Sequence, residues 1–366
     1  MLNKLVFENL KHRPVRTALS VLAVGVEVTM MLTVVGLSRG MLEDSANRAR
    51  GAGADIWIRP PGSAVIGLSS ANMPEKIISN YLDRLDHVAV ATGMVSSPIG
   101  GIETVSGLDL KQFDRMSGGF RYVEGGPIEH PESEILVDDR YARQNKLHAG
   151  DTIQILNRPW RVAGVVESGK LARLVVDLKV LQDLTGNTGK LTQAFVKLDD
   201  PANTDMMVQR LKQDLKDYQV YSIEEFTSLF TPDNYPGLNA FILVIIGLSV
   251  VVGFLVVFLA LYTAVLERTR EIGILKSLGA SPGYILGVLL RETGLLALVG
   301  SVLGIILTYA ARFLIQALVP ASLTQKIVPD WWPIATAIAV AGAMLGAAYP
   351  GWKAANQDAI EALSYE

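Results

Sequence analysis

AFILVIIGLSVVVGFLVVFLALYTAVL, residues 240–266, runs without one charge and is rich in Val, Leu and Ile. A helix crossing the hydrocarbon core needs about 20 apolar residues, so this stretch reads as a membrane span. Three more runs resemble it. Residues 17–37 are interrupted only by Glu27. Residues 285–315 carry Arg291 and Glu292 near the start and Arg312 near the end. Residues 332–349 end at Pro350-Gly351. The run 285–315 is longer than one crossing needs and is expected to tilt or to extend past the bilayer. The composition agrees. Half of the 366 residues are hydrophobic and only 19% are charged, below the roughly 25% of ordinary soluble domains.

Lys4, Lys11, Arg13 and Arg16 precede the first run. A cleaved signal peptide has an apolar core of about 7–15 residues and a small-residue cleavage site. This run is longer and ends at Ser38-Arg39-Gly40 without such a site, so it reads as a retained anchor. Lys and Arg in short flanking segments favour the cytoplasmic side. The N-terminal tail is basic. So is the loop between the second and third spans, with Arg268, Arg270 and Lys276. Both termini are therefore expected in the cytoplasm. The loop 318–330 then lies outside, beside Trp331 and Trp332, which suit an interfacial aromatic belt. Arg39, Arg48, Arg50 and Arg59 belong to a long segment, and long segments translocate largely regardless of charge.

The expected division is a cytoplasmic tail with the first span (1–38), an extracytoplasmic domain (39–239), the second span (240–266), a cytoplasmic loop (267–284), the third and fourth spans (285–350) and a cytoplasmic tail (351–366). The fold class is a bundle of four transmembrane helices with a large extracytoplasmic α+β domain between helices 1 and 2. Within that domain, residues 54–58, 134–137, 151–156 and 160–166 read as strands. Ile77, Ile78, Tyr81, Leu82 and Leu85 form a helical face over 75–85, and Val208, Leu211 and Leu215 mark another helix. Residues 64–72 read as a loop, and the domain as one lobe or two. Helical patterns over 40–50 and 223–230 would extend the first two spans outward as stalks.

Enzyme chemistry finds little support. A phosphate-binding loop would read Gly-x-x-x-x-Gly-Lys-Ser/Thr. The nearest match, around Gly189-Lys190, has Leu184 for the first Gly and Leu191 for the hydroxyl residue. His12, His87, His130 and His148 lie at no metal-ligand spacing, cysteine is absent, and no Gly-x-Ser-x-Gly elbow occurs. The net charge of −3 argues against a nucleic-acid partner. No catalytic, metal or cofactor residue is assigned.

Within the spans, Glu27 falls near a bilayer midpoint, where an ionised carboxylate is costly. Either it serves a substrate path or gate, with Arg291 a candidate partner, or it is a protonated group packed between helices. Glu292 is expected to snorkel or to cap a helix end. Gly300 and Gly304, like Gly342 and Gly346, permit close helix approach, in a compact bundle or a dimer contact.

The loop Glu267-Arg-Thr-Arg-Glu-Ile-Gly-Ile-Leu-Lys-Ser-Leu-Gly-Ala-Ser281 places mixed charges ahead of an apolar set, Ile272, Ile274, Leu275 and Leu278. Gly279 can end a short helix there, and Ser281-Pro282 can start the next element. Mixed signs suit a protein groove better than a lipid surface. The loop resembles the signature of the FtsX/MacB-type (type VII) ABC transporter permease family, E-R-x-R-E-I-G-x-x-[KR]-x-[LI]-G-A. Glu267, Arg268, Arg270, Glu271, Ile272, Gly273, Lys276, Leu278, Gly279 and Ala280 match it. The tail from Pro350 to Leu363 resembles the family's ending, apart from Ala359 where a proline is usual, and residues 9–19 resemble its opening.

The resemblance implies a non-catalytic permease subunit. Cytoplasmic ABC ATPase subunits on a separate polypeptide would bind ATP and Mg²⁺ and drive it through the loop. The permease would pair with a second copy, as homodimer or heterodimer, in the bacterial inner membrane. The work would be done outside the bilayer, by mechanotransmission, on an amphiphile, peptide or lipoprotein for export, with an extracytoplasmic adaptor a further possible partner. An FtsX-like regulator of a cell-wall hydrolase is the alternative. Glu27 departs from the apolar or small residue that the family leads one to expect.

Overall fold

The computed structural model describes residues 14–63, 71–100, 103–235, 237–318 and 323–357, apart from the side chain of Arg16. Lys4, Lys11, His12, Arg13, most of the loop 64–72, Ala359 and Leu363 lie outside the described residues. The chain divides into two compact units. One holds residues 1–38, 237–315 and 325–366, the other 39–236 and 316–324.

The first unit is helical. α1 (Pro14–Arg50) is one unbroken helix whose residues beyond 38 belong to the other unit. Among the described residues, four helices are long and apolar enough to cross a membrane. In hydrocarbon a helix satisfies its own backbone groups, which explains this choice of structure. The helices touch where side chains vanish. A Cβ added at Gly304 would lie 2.6 Å from the Gly25 carbonyl oxygen, and one at Gly300 2.7 Å from Val24 Cβ. Thr29 Oγ1 donates to the Gly304 carbonyl at 3.1 Å across the same crossing. A Cβ at Gly346 would lie 2.8 Å from the Phe254 carbonyl oxygen. These glycines are thus used within one chain.

In the second unit the chain continues as β1 (Ile56–Arg59), β2 (Met73–Pro74), α2 (Lys76–Asn80), β3 (Val88–Gly100), β4 (Glu103–Leu108), α3 (Leu110–Ser117), β5 (Tyr122–Gly125), β6 (Glu134–Asp138), α4 (Asp139–Asn145), β7 (Thr152–Ile155), β8 (Arg158–Val166), β9 (Leu174–Asp177), α5 (Leu178–Leu184), β10 (Lys190–Leu191), β11 (Gln193–Leu198), α6 (Thr204–Asp214), β12 (Gln219–Ser222) and α7 (Ile223–Ser228). The sheet runs β12-β1-β11-β3-β4-β9-β6-β8-β5, with β7 on β8, while β10 and β2 pair separately. Strand periodicity of two divides the core. Ile56, Ile58, Ile135 and Val137 join one cluster with Leu181 of α5 and Leu211 of α6. Trp57 and Leu136 join the other with Phe113 of α3 and Phe226 of α7. Helices therefore cover both faces of one continuous sheet, and the unit is a single lobe.

α8 (Leu238–Glu267), α9 (Thr269–Ser277), α10 (Pro282–Leu318) and α11 (Trp332–Asn356) complete the first unit. Three local expectations change. The helix expected over 75–85 breaks at Tyr81, after which Leu82–Arg84 form a 3-10 turn. The stalk expected over 223–230 does not reach α8. α7 ends at Ser228, and Gly237 stands at φ +78° before Leu238. Pro350 does not stop the fourth span, because α11 passes through it to Asn356. Proline removes one ladder hydrogen bond, and packing offsets that loss. Gly351 abuts Leu286, and Ala354 and Ala355 are buried.

Gly304→Leu should force α1 and α10 apart and cost about 1–3 kcal/mol. The midpoint of unfolding in a dodecyl sulfate titration should fall accordingly. Gly247→Leu, where an added Cβ meets nothing within 4 Å, should leave it in place.

Candidate functional site

The segment 267–280 forms the end of α8, a tight corner and α9. Its C-terminus closes in a Schellman arrangement. Ala280 N–H donates to the Leu275 carbonyl at 3.0 Å and Gly279 N–H to the Lys276 carbonyl at 2.9 Å. Gly279 stands at φ +92°, which a side chain would strain.

The structure separates the sequence-selected residues into two groups. Arg268, Ile272, Gly273 and Lys276 hold the helix to the bundle. Arg268 faces Glu292 of α10 at 3.6 Å, with side chains 11% and 5% exposed. Ile272 and Gly273 are buried. Lys276 Nζ donates to the Gln357 carbonyl at 2.5 Å. Arg270, Glu271 and Leu278 point outward, and Ile274 and Leu275 join them. The apolar set read from sequence is therefore not one face. At 100° per residue, positions 274, 275 and 278 fall within one arc of about 100°, and 272 lies outside it, next to 275 on the side that is buried. Leu278, at 79% exposure, is an apolar side chain presented to a partner or solvent.

Glu292 neither snorkels nor caps a helix end. It is 3% exposed and paired with Arg268. Sequence reading missed this pair because its members are 24 positions apart (292 − 268) on different elements. Glu27 is 4% exposed, and its Oε1 has no hydrogen-bond partner. Its carboxyl occupies the space that a Cβ on Gly253 would need and lies near Gly342. Arg291 is exposed and, among the described residues, forms no ion pair with Glu27. Glu27 thus packs between helices at glycine-made gaps.

A second constellation lies in the other unit, at the outer end of α1. Both oxygens of Asp44 are used. Oδ1 meets Arg140 Nη1 at 2.7 Å, and Oδ2 meets Arg173 Nη2 at 2.7 Å and Arg48 at 3.5 Å. Arg173, only 5% exposed, also reaches Asp138 Oδ2 at 3.1 Å. Asp138 in turn caps α4 through the Tyr141 N–H at 2.7 Å. Leu171 N–H donates to the Arg48 carbonyl at 3.0 Å. This clamp fixes the last turns of α1 to the sheet. Only its Asp44–Arg48 pair, at helical spacing i,i+4, had a local sequence signal.

With this geometry in hand, the likenesses to known proteins fall into place. The MacB-like periplasmic core domain matches residues 17–214, and the FtsX-like permease C-terminal domain matches residues 243–359. The class is an ABC transporter permease. The chain belongs to the FtsX/MacB-type family, whose two characteristic domains it carries in order. It is 25% identical over 268 residues to an uncharacterized ABC transporter permease of Methanocaldococcus jannaschii, covering 68% of this chain and 66% of that one. It is 22% identical over 395 aligned positions to the macrolide export ATP-binding/permease protein MacB of Escherichia coli, covering 99% of this chain and 60% of that one. The crystal structure of the periplasmic region of MacB from Actinobacillus actinomycetemcomitans matches 48% of this chain and 92% of its own, at 18% identity and a TM-score of 0.36. The chain therefore spans less than two thirds of the length of these curated relatives.

Asp44→Asn leaves Arg173 buried with a weakened partner set, and losing one member of a buried pair costs about 3 kcal/mol. Urea unfolding of the full chain, followed by Trp fluorescence, should show that loss. Glu167→Gln, which removes the exposed pair with Arg121, should change stability by less than about 0.5 kcal/mol.

Proposed function

We propose that this chain is the permease subunit of an ABC exporter, with both termini and the 267–284 loop in the cytoplasm. ATP is hydrolysed by ATPase subunits lying outside these 366 residues, in which no phosphate-binding loop occurs. Two permease copies pair, as homodimer or heterodimer, and the work is done on an extracytoplasmic amphiphile, peptide or lipoprotein. An extracytoplasmic adaptor completes the path.

One observation carries this reading. α9 is locked to its own bundle by Arg268, Ile272 and Lys276, yet it presents Ile274, Leu275 and Leu278 outward. A short helix with a fixed orientation and an unpartnered apolar face fits a groove on a partner. Because the buried Ile272 and the polar contacts of Arg268 and Lys276 hold the helix, a push on the exposed face moves the bundle rather than turning the helix. Such a push on a fixed helix is what force transmission from a partner requires.

The test is stimulated ATP hydrolysis, measured with the cognate ATPase in lipid vesicles. Leu278→Asp and Arg270→Glu should each lower the stimulation at least tenfold with unchanged melting, since both side chains are exposed. Wild-type stimulation in both variants would remove the loop from the coupling path.

A further inference from the structure

β4 and β9 are parallel neighbours, with Leu108 opposite Asp177 at their C-terminal ends. The chain leaves the two strands toward opposite faces of the sheet. From β4 it enters α3, whose Phe113 lies in the core on one face. From β9 it enters α5, whose Leu181 lies in the core on the other. Such a switch point opens a crevice beyond the strand ends, and ligands of open α/β sheets bind in that crevice. A cavity of about 510 Å³ stands there, with Asp109, Leu110, Asp177 and Leu178 in its lining. The volume is within the ~300–1,000 Å³ of small-molecule sites.

The described lining has two parts. Leu110, Phe120, Tyr122, Pro127, Ile128 and Pro131 form an apolar wall that continues to Leu178. Phe120 is half-buried and rests on Phe113, with ring centroids 4.9 Å apart. The rest of the lining is charged, with Asp109, Asp114 and Asp177 against Lys111 and Lys179. Lys179 is taken by Glu75 at 2.6 Å. Asp109 caps α3 through Oδ1, which accepts from the N–H groups of Lys111 and Gln112. Asp177 caps α5 in the same way, through Oδ1 and the N–H groups of Lys179 and Val180. Each cap leaves Oδ2 for another donor. Burial and then the charge of Asp114 push the Tyr122 phenol up. Asp114 also acts on Lys170, whose ammonium donates to the carbonyls of Ser117 and Gly119. With both outer neighbours counted, four carboxylates (Asp109, Asp114, Asp177 and Glu75) meet three ammonium groups (Lys111, Lys170 and Lys179).

An apolar wall beside surplus negative charge selects an apolar ligand with one positive end. Tyr122 and Asp114 favour a cation together, one through its ring and the other through its charge. We propose that this cavity binds a compact organic cation, an ammonium group carried on an apolar body, with the body against Leu110, Phe120 and Ile128 and the charge at Asp114 and the remaining oxygens of Asp109 and Asp177. The site rests on the proposed function only for the side from which the ligand arrives. Binding is measured without an ATPase, so its failure leaves the coupling loop in place, and failure of coupling leaves this site in place.

The experiment titrates the purified full chain, in detergent micelles, with 4-fluorobenzylamine and follows the fluorine resonance against protein-free micelles. Saturable broadening is expected for the wild type and for Asp217→Asn, which removes an exposed carboxylate outside the lining. Asp114→Asn, at an exposed position, should weaken binding about fivefold. Pro131→Trp adds a ring at an exposed lining position and should abolish binding with the melting transition unchanged. The uncharged 4-fluorobenzyl alcohol and the anionic 4-fluorobenzoate should not bind measurably. The site is overturned if the wild type shows no saturable binding, if the alcohol or the benzoate binds as tightly as the amine, if methylammonium competes at equal concentration, or if either folded lining variant binds like the wild type.

Discussion

The carboxylate of Asp44 is the point at which α1 becomes part of the external unit. It accepts from Arg140 and Arg173 at 2.7 Å each, in a setting where Arg173 is 5% exposed. A buried ionic cluster adds little net stability, because desolvation consumes much of the Coulombic gain. Its value lies in geometry. The two arginines approach different oxygens, and Arg173 carries the restraint on to Asp138 and the start of α4. Losing any member leaves charge stranded among apolar neighbours. The helix end is therefore fixed in one position on the sheet. A merely hydrophobic contact would allow it to slide.

The coupling corner uses the same device at smaller scale. Arg268 caps the junction between α8 and α9 and faces a buried Glu292, and this pair sets the rotation of α9. Rotation matters more than position for an amphipathic helix. Turning α9 by about a third of a turn would carry Ile272, now 7% exposed, toward the surface and move its outward apolar side chains away from it. Lys276 adds a second restraint from the opposite end of the helix, through the carbonyl of Gln357. In the proposed role the partner meets a face that polar contacts have already aimed, so binding spends little on ordering it.

Much of the architecture is legible in sequence because lipid is a demanding solvent. A run such as 240–266 has no soluble alternative. The strands over 134–137, 151–156 and 160–166 were equally readable, because alternation and turn residues coincide there. The errors fall where tertiary contacts override local rules. Pro350 ordinarily ends a helix, but here the burial of Gly351, Ala354 and Ala355 carries α11 past it. The 223–230 stalk failed for the opposite reason. Its apolar residues serve the sheet, with Phe226 stacked on Trp57 rather than extending α8. Charged residues were the hardest to place. Glu292, Arg173 and Asp138 have partners that only the folded chain brings near, so no spacing rule could pair them. Glu27 was conspicuous in sequence, but the two glycines that make room for it were visible only in three dimensions.

Arg48 connects these threads. Its Nη2 leans on Asp44 at 3.5 Å, while a cavity of the same unit, lined also by Trp57 and Arg59, takes the rest of its side chain as a wall. Arg140 and Arg173 hold Asp44 at 2.7 Å each, against 3.5 Å for Arg48. Arg48 is therefore the most loosely held cation of the cluster, and the two short pairs carry the geometric restraint.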